Sequence, residues 1–179
     1  MDLIMGDDTR NKVLANIQTR FSVRWFTDQE VSDYEVNSLL DAGFCAPSAK
    51  NSRPWHFIVI RDKATLKKIT DASSYAKMVE RSNLTILICA DKSKNPLEKH
   101  LVEDCSAAAQ NILLAAHAME LGAVWCGINP KSDFYYTLID LMELPEGIVP
   151  MMLIPIGYPD EYRAQIERFE AEKVHREKW

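Results

Sequence analysis

Apolar residues along this chain fall in short blocks whose spacing alternates between helical and extended. Val13, Leu14 and Ile17 share one side of a helix expected over 10–19. Ser32 with Glu35 makes a capping-box pattern, in which a hydroxyl and a carboxylate satisfy each other's backbone donors. Val36, Leu39, Leu40 and Phe44 follow at helical spacing. That helix should stop before Pro47, because the residue ahead of a proline avoids the helical region. The β-branched run HFIVI at 56–60 reads as a strand, Asp62 caps a short helix through Ile69, and LTILICA at 84–90 reads as a second, buried strand.

The longest helical pattern runs from Pro96 to Leu121. Leu97, Leu101, Cys105, Ala108, Ile112, Ala116 and Met119 form its stripe, and its C-terminal half is apolar nearly all round, as a central buried helix requires. Gly122 suits the position just past its end. AVWC at 123–126 reads as a third strand, Ser132 caps a helix to about Met142, and VPMMLIPIG at 149–157 reads as a fourth strand whose prolines favour an edge or an irregular path. The order implies an α+β sandwich, one sheet covered by helices.

Composition narrows the classes without naming one. The 179 residues fit a single domain spanning 1–179. A net charge of −5 and no basic run argue against nucleic acid as a partner. No window holds 18 uninterrupted apolar residues, so no membrane span is expected, and the N-terminus lacks the apolar region of a signal peptide. Cys45, Cys89, Cys105 and Cys126 form no C-x-x-C pair and read as small core residues of a cytoplasmic protein. The four histidines are scattered, so no metal site is expected.

Three stretches carry candidate chemistry. In RFSVRWF, 20–26, an extended backbone puts Arg20, Ser22 and Arg24 on one face and Phe21, Val23 and Trp25 on the other, facing the protein. Two guanidiniums and a hydroxyl suit a phosphate, and equally a solvated surface strand. In APSAKNSRPWHFIVI, 46–60, Pro47 and Pro54 bracket a polar segment with Ser48, Lys50, Asn51 and Arg53. An amide such as Asn51 both donates and accepts, as the edge of a uracil-like ring needs, although such loops often cap only themselves. In LGAVWCGINP, 121–130, Gly127 follows a strand, where a glycine often marks close approach to the backbone. Cys126 has no nearby histidine and reads as core rather than nucleophile.

Together with AAAQNILLAAHAMELGAVWCGINP and LIPIGYP followed by RFEAEKVHREKW, these stretches resemble the nitroreductase family, the dimeric FMN-dependent NAD(P)H oxidoreductases, from about Ile17 to Trp179. The resemblance implies a mostly antiparallel sheet of about four to five strands in an intertwined homodimer. It implies that Arg20, Phe21, Ser22 and Arg24 form the first FMN-contacting segment. Pro47, Ser48, Asn51 and Arg53 would reach the same flavin from the partner subunit. Cys126 and Gly127 would lie beside its reactive part, with Pro155, Ile156 and Gly157 in a strand lining it, and Arg168 would grip the phosphate. No side chain is expected to act as a catalytic acid, base or nucleophile, because the cofactor carries the redox work.

Departures from the family pattern are Phe21 for a second arginine, Arg53 for a glutamine before Pro-Trp, Asn129 for an aromatic residue, and Ile166 for a basic one. The resemblance implies that NAD(P)H and the electron acceptor, a nitroaromatic, a quinone or a related compound, share one pocket over the flavin, and the six glycines, which form no G-x-G-x-x-G, offer no separate Rossmann site. Two alternatives stay open: a different reaction on the same fold, such as reductive dehalogenation or flavin fragmentation, and an FMN-binding protein without turnover.

Overall fold

The computed structural model describes residues 7–95, 97–164 and 166–179. Pro96, where the apolar pattern starts the longest helix, lies outside them. Five antiparallel strands form one sheet: β1 (Trp55–Ile60), β2 (Leu84–Asp91), β3 (Gly122–Ala123), β4 (Cys126–Gly127) and β5 (Ile148–Gly157). Their order is β1-β2-β5-β3, with β4 also on β5. The helices are α1 (Asp7–Thr19), α2 (Asp33–Phe44), α3 (Lys63–Asp71), α4 (Glu98–Ala118) and α5 (Asp133–Leu141). This is the expected α+β sandwich.

Strand alternation divides the interior into two cores. Leu84, Ile86, Ile88 and Ala90 of β2 face α2 and α4, against Val36, Leu39, Leu101 and Ile112. Leu87 and Cys89 point the other way, to Leu66 and Ile69 of α3 and Leu138 of α5. Covered on both faces, β2 therefore reads as one unbroken apolar run. The caps form as the sequence implies. Glu35 donates its N–H to Ser32 Oγ at 3.3 Å while its carboxylate accepts the Ser32 N–H at 2.7 Å. Thr65 N–H donates to Asp62 at 2.8 Å and Tyr135 N–H to Ser132 at 3.2 Å. The Tyr158 hydroxyl, just past β5, also donates to Glu35 at 2.7 Å and ties the sheet to α2.

Four expectations need correction. β5 is central, so of the edge or irregular path that its prolines favoured only the irregular path holds, and each proline meets a gap in the ladder. The Pro155 carbonyl accepts from Val124, so its missing N–H faces the break between β3 and β4. Pro150 lies opposite Cys89, where the β2 register shifts. The strand at 123–126 is two short ones, separated by Val124 and Trp125. Gly122 is not the turn after α4: Glu120 takes the left-handed conformation (φ 62°), and Gly122 enters β3, where a Cβ would lie 2.6 Å from Val23. Cys45, read as a small core residue, sits at the C-terminal cap of α2 and is exposed. The Val13, Leu14 and Ile17 row is half exposed. α1 is held to α4 by polar contacts instead, Asn16 Nδ2 donating to the Leu114 carbonyl at 3.0 Å and Thr19 Oγ1 lying 2.8 Å from His117 Nε2.

Candidate functional site

Residues 20–26 run extended beside β3, with the Val23 N–H donating to the Ala123 carbonyl at 3.1 Å. Beyond it, Thr27 N–H meets the Tyr158 carbonyl and Asp160 N–H meets the Trp25 carbonyl, both at 2.9 Å. The Glu161 carboxylate accepts the backbone N–H groups of Arg24 and Trp25. This clamps the segment between the sheet and the chain that follows β5. Arg20, Phe21, Ser22 and Arg24 line a cavity of about 430 Å³ together with Arg163, Ile166 and Arg168. Both terminal nitrogens of Arg168 donate to the Arg20 carbonyl, at 3.3 Å each. Burial, and then the Arg168 charge, hold Arg20 below its ordinary pKa. His117 is lowered likewise, by burial first and then by Arg20. Cations pressed together at partial burial make a basin for an anion. Of the apolar trio expected to face inward, only Val23 is buried; Trp25 is exposed, with the Arg81 guanidinium 3.8 Å from its ring centroid.

A second cavity, about 500 Å³, opens beside β4 and is mostly apolar. Trp125, Gly127, Ile128, Asn129, Val102, Met151 and Met152 are among the residues that line it. A Cβ on Gly127 would meet only Trp125 Nε1, at 3.9 Å, so the space over this backbone is open. Lys92 and Glu98, also in the lining, pair at 3.4 Å. Cys126 Sγ points to Met78 Sδ at 3.4 Å. Burial pushes its thiol up to about 11, against a smaller opposing pull from Arg24, which leaves it a poor nucleophile.

The 47–53 segment is a strained polar turn. Lys50 and Asn51 (φ 55° each) and Arg53 (φ 47°) all adopt the left-handed region. For residues with a Cβ this costs about 1–2 kcal/mol each. The turn is locked from two sides. Arg53 N–H donates to Ser48 Oγ at 3.0 Å. From α4, the buried Asp104 carboxylate accepts Ala49 N–H at 2.8 Å and Ser52 Oγ–H at 3.2 Å.

The profile of the "Nitroreductase family" matches residues 17–76 and 72–158. The chain belongs to the nitroreductase family. A Methanothermobacter thermautotrophicus protein with the provisional name NADH dehydrogenase/NAD(P)H nitroreductase is 42% identical, over 98% of this chain and 92% of its own. The FMN reductase [NAD(P)H] of Bacillus subtilis is 27% identical, over 92% of this chain and 73% of its own length. Among solved structures, a provisionally named Desulfovibrio desulfuricans nitroreductase in complex with FMN has a TM-score of 0.79 and 32% identity, covering 93% of this chain and 97% of that one.

Within this nitroreductase chain, the sequence-expected residues sort into three groups. Arg20, Phe21, Ser22, Arg24 and Arg168 meet around the cationic cavity. Gly127 opens on the apolar one, with Cys126 half-buried next to it. Pro47, Ser48, Asn51 and Arg53 lie on the strained turn and line neither cavity. Nor do Pro155, Ile156 and Gly157: they are buried in β5, and the place of a Gly157 Cβ is taken by Asn83 Oδ1, 2.7 Å away. Sequence reasoning missed Arg163, Glu161 and Asp104. The signal for Asp104 was available, since it stands three residues past Leu101 and four before Ala108, an acid inside the apolar stripe.

Among the described residues, no group of three or more His, Cys, Asp or Glu could hold a metal ion, and no helix is long and apolar enough to cross a membrane.

Proposed function

We propose that this chain is an oxidoreductase that uses FMN to pass electrons from NAD(P)H to a nitroaromatic, quinone or related acceptor, donor and acceptor taking turns in one cavity. The observation that carries the reading is the meeting of Arg20, Ser22 and Arg24 with Arg168, which lies 148 residues from Arg20 in sequence, around one cavity. That donor set fits a phosphate monoester. Planar guanidiniums bind such oxygens in pairs, and a dianion would relieve the Arg20–Arg168 repulsion. Space over Gly127 fits a flat ring that must approach the backbone. Bound there, FMN supplies the hydride and electron chemistry.

The chain's own groups would bind and orient. Arg20, Arg24 and Arg168 would hold the phosphate, with Ser22 adding a hydroxyl. The walls from Trp125 and Met151 would keep the ring's surroundings apolar and water-poor. With its thiol raised to about 11, Cys126 remains protonated at neutral pH and takes no part as a nucleophile.

The active unit would be a homodimer in which Pro47, Ser48, Asn51 and Arg53 serve the flavin of the other subunit. Support comes from the exposed Val13, Leu14, Ile17, Val102 and Phe169, apolar side chains that a partner subunit would cover. The free thiols fit a reducing cytoplasm.

The test is colour and its loss. Purified protein should be yellow, release about one FMN per chain, and bleach when NADH or NADPH is added without oxygen. A colourless protein that cannot be reconstituted with FMN rejects the cofactor. A yellow protein that neither nucleotide bleaches rejects the reductase and leaves an FMN-binding protein.

A further inference from the structure

We propose that Asp104 is a positioning residue, a buried brace on α4 that holds the 48–53 turn in the shape that presents Asn51 to the flavin. This rests on the proposed reading of that turn as a flavin-contacting segment.

The environment of Asp104 is the first reason. It is 5% exposed and sits in a helix face otherwise made of Leu101, Cys105 and Ala108. A carboxylate in such a place is retained only where its hydrogen bonds are met. Both its oxygens go to the turn, Oδ1 to the Ala49 N–H and Oδ2 to the Ser52 hydroxyl.

The second reason is where those donors stand. Ala49 and Ser52 flank Lys50 and Asn51, the two left-handed residues at the tip. A strained conformation persists only when its surroundings over-determine it. Here a rigid helix grips the turn on both sides of the strain, while the Asn51 side chain stays exposed and free to meet a ligand. The brace thus links α4, whose Leu101, Val102 and Ser106 line the apolar cavity, to a segment that lines no part of it.

The test is an FMN titration of the flavin-stripped chain, followed by fluorescence, with amide exchange of the same proteins. Asp104→Ala should weaken FMN about tenfold or more, the usual loss when a hydrogen bond to a charged group goes. It should speed exchange at Ala49–Arg53 and leave β2 unchanged. Asp104→Asn should recover most of the affinity, because its amide oxygen still accepts from Ala49 while its NH₂ donates to Ser52 Oγ. If Asp104→Ala does not fold, Ser52→Ala removes one arm of the brace and should weaken FMN about threefold. Affinity unchanged in these variants, while Asn51→Ala weakens it, overturns the brace alone. Affinity unchanged in Asn51→Ala removes the flavin-contacting reading of the turn, and the brace with it. Exchange accelerated equally in β2 makes Asp104 a general fold residue and also overturns the inference.

Discussion

Arg168→Ala separates binding from folding more cleanly than any other change at this site. Within the chain its guanidinium does two opposing things. It donates twice to the Arg20 carbonyl at 3.3 Å, and its charge lowers the Arg20 pKa. Truncation removes two hydrogen bonds of an exposed side chain and relieves a like-charge contact. The net effect on folding should stay within about 0.5 kcal/mol, as for most surface changes. FMN affinity should respond quite differently. A hydrogen bond to a charged partner contributes about 1.5–3 kcal/mol, which is roughly 10- to 150-fold in Kd. Titration of stripped protein with FMN reads this directly, and thermal melts of the same samples give the folding side. Raising the salt should weaken wild type more than the variant, because an ionic contact is screened and the variant has lost one. An unchanged Kd, or a loss of stability that matches the loss of affinity, would refute the assignment of Arg168 to the phosphate. Arg24→Ala makes the corresponding test of the 20–26 segment.

Three further outcomes are expected. Gly127→Ala should leave stability unchanged, its Cβ meeting only Trp125 Nε1 at 3.9 Å, yet weaken FMN binding; equal FMN affinity means that nothing approaches that backbone. Stability should fall above about pH 9, since burial holds the Cys89 and Cys105 thiols up at about 12 against an ordinary value of 9.0. Raised pKa values mean that their contribution is complete below pH 9 and is lost as the pH climbs towards 12, approaching about 1.4 kcal/mol per pH unit for each thiol. Denaturant melts of Cys89→Ala and Cys105→Ala should show a shallower alkaline slope, and an unaltered slope refutes the assignment. Co-expressed Arg24→Ala and Asn51→Ala chains should regain activity towards about a quarter of wild type, because random pairing makes half the dimers mixed and one of the two sites in each is intact. Isolated mixed dimers without activity would show that both residues serve one site within a chain.

Where local chemistry decides, the sequence was readable: Ser32 with Glu35, Asp62 and Ser132 each start their helix where their side chains permit. The run at 84–90 was legible because both faces of β2 are buried. β5 was left between an edge and an irregular path because a proline's missing donor says only that some N–H is absent, not which neighbour it would have faced. Only the break between β3 and β4 supplies that answer, and it is a tertiary fact. Trp25 was misread because alternation fixes the face of a residue but not whether anything covers it; the Trp25 ring is exposed, and Arg81 stacks on it instead. The cationic cavity was half legible. Arg20, Ser22 and Arg24 announce themselves by spacing, whereas Arg163 and Glu161 reach the site only through the path of the chain after β5.

The break between β3 and β4 has a consequence for how the sheet meets other strands. An unpaired edge is a template on which a passing segment can nucleate, a hazard that proteins manage by shortening or interrupting it. On the β5 side the edge is two pieces of two residues each, too short to seed a ladder. β1 offers six residues in sequence, pairs with β2 alone among the described residues, and carries Val59 at 37% exposure. Strand recruitment, whether in assembly or in misfolding, is therefore one-sided in this fold: the flank that carries Gly127 is closed to it, and the β1 flank is where solubility must be guarded.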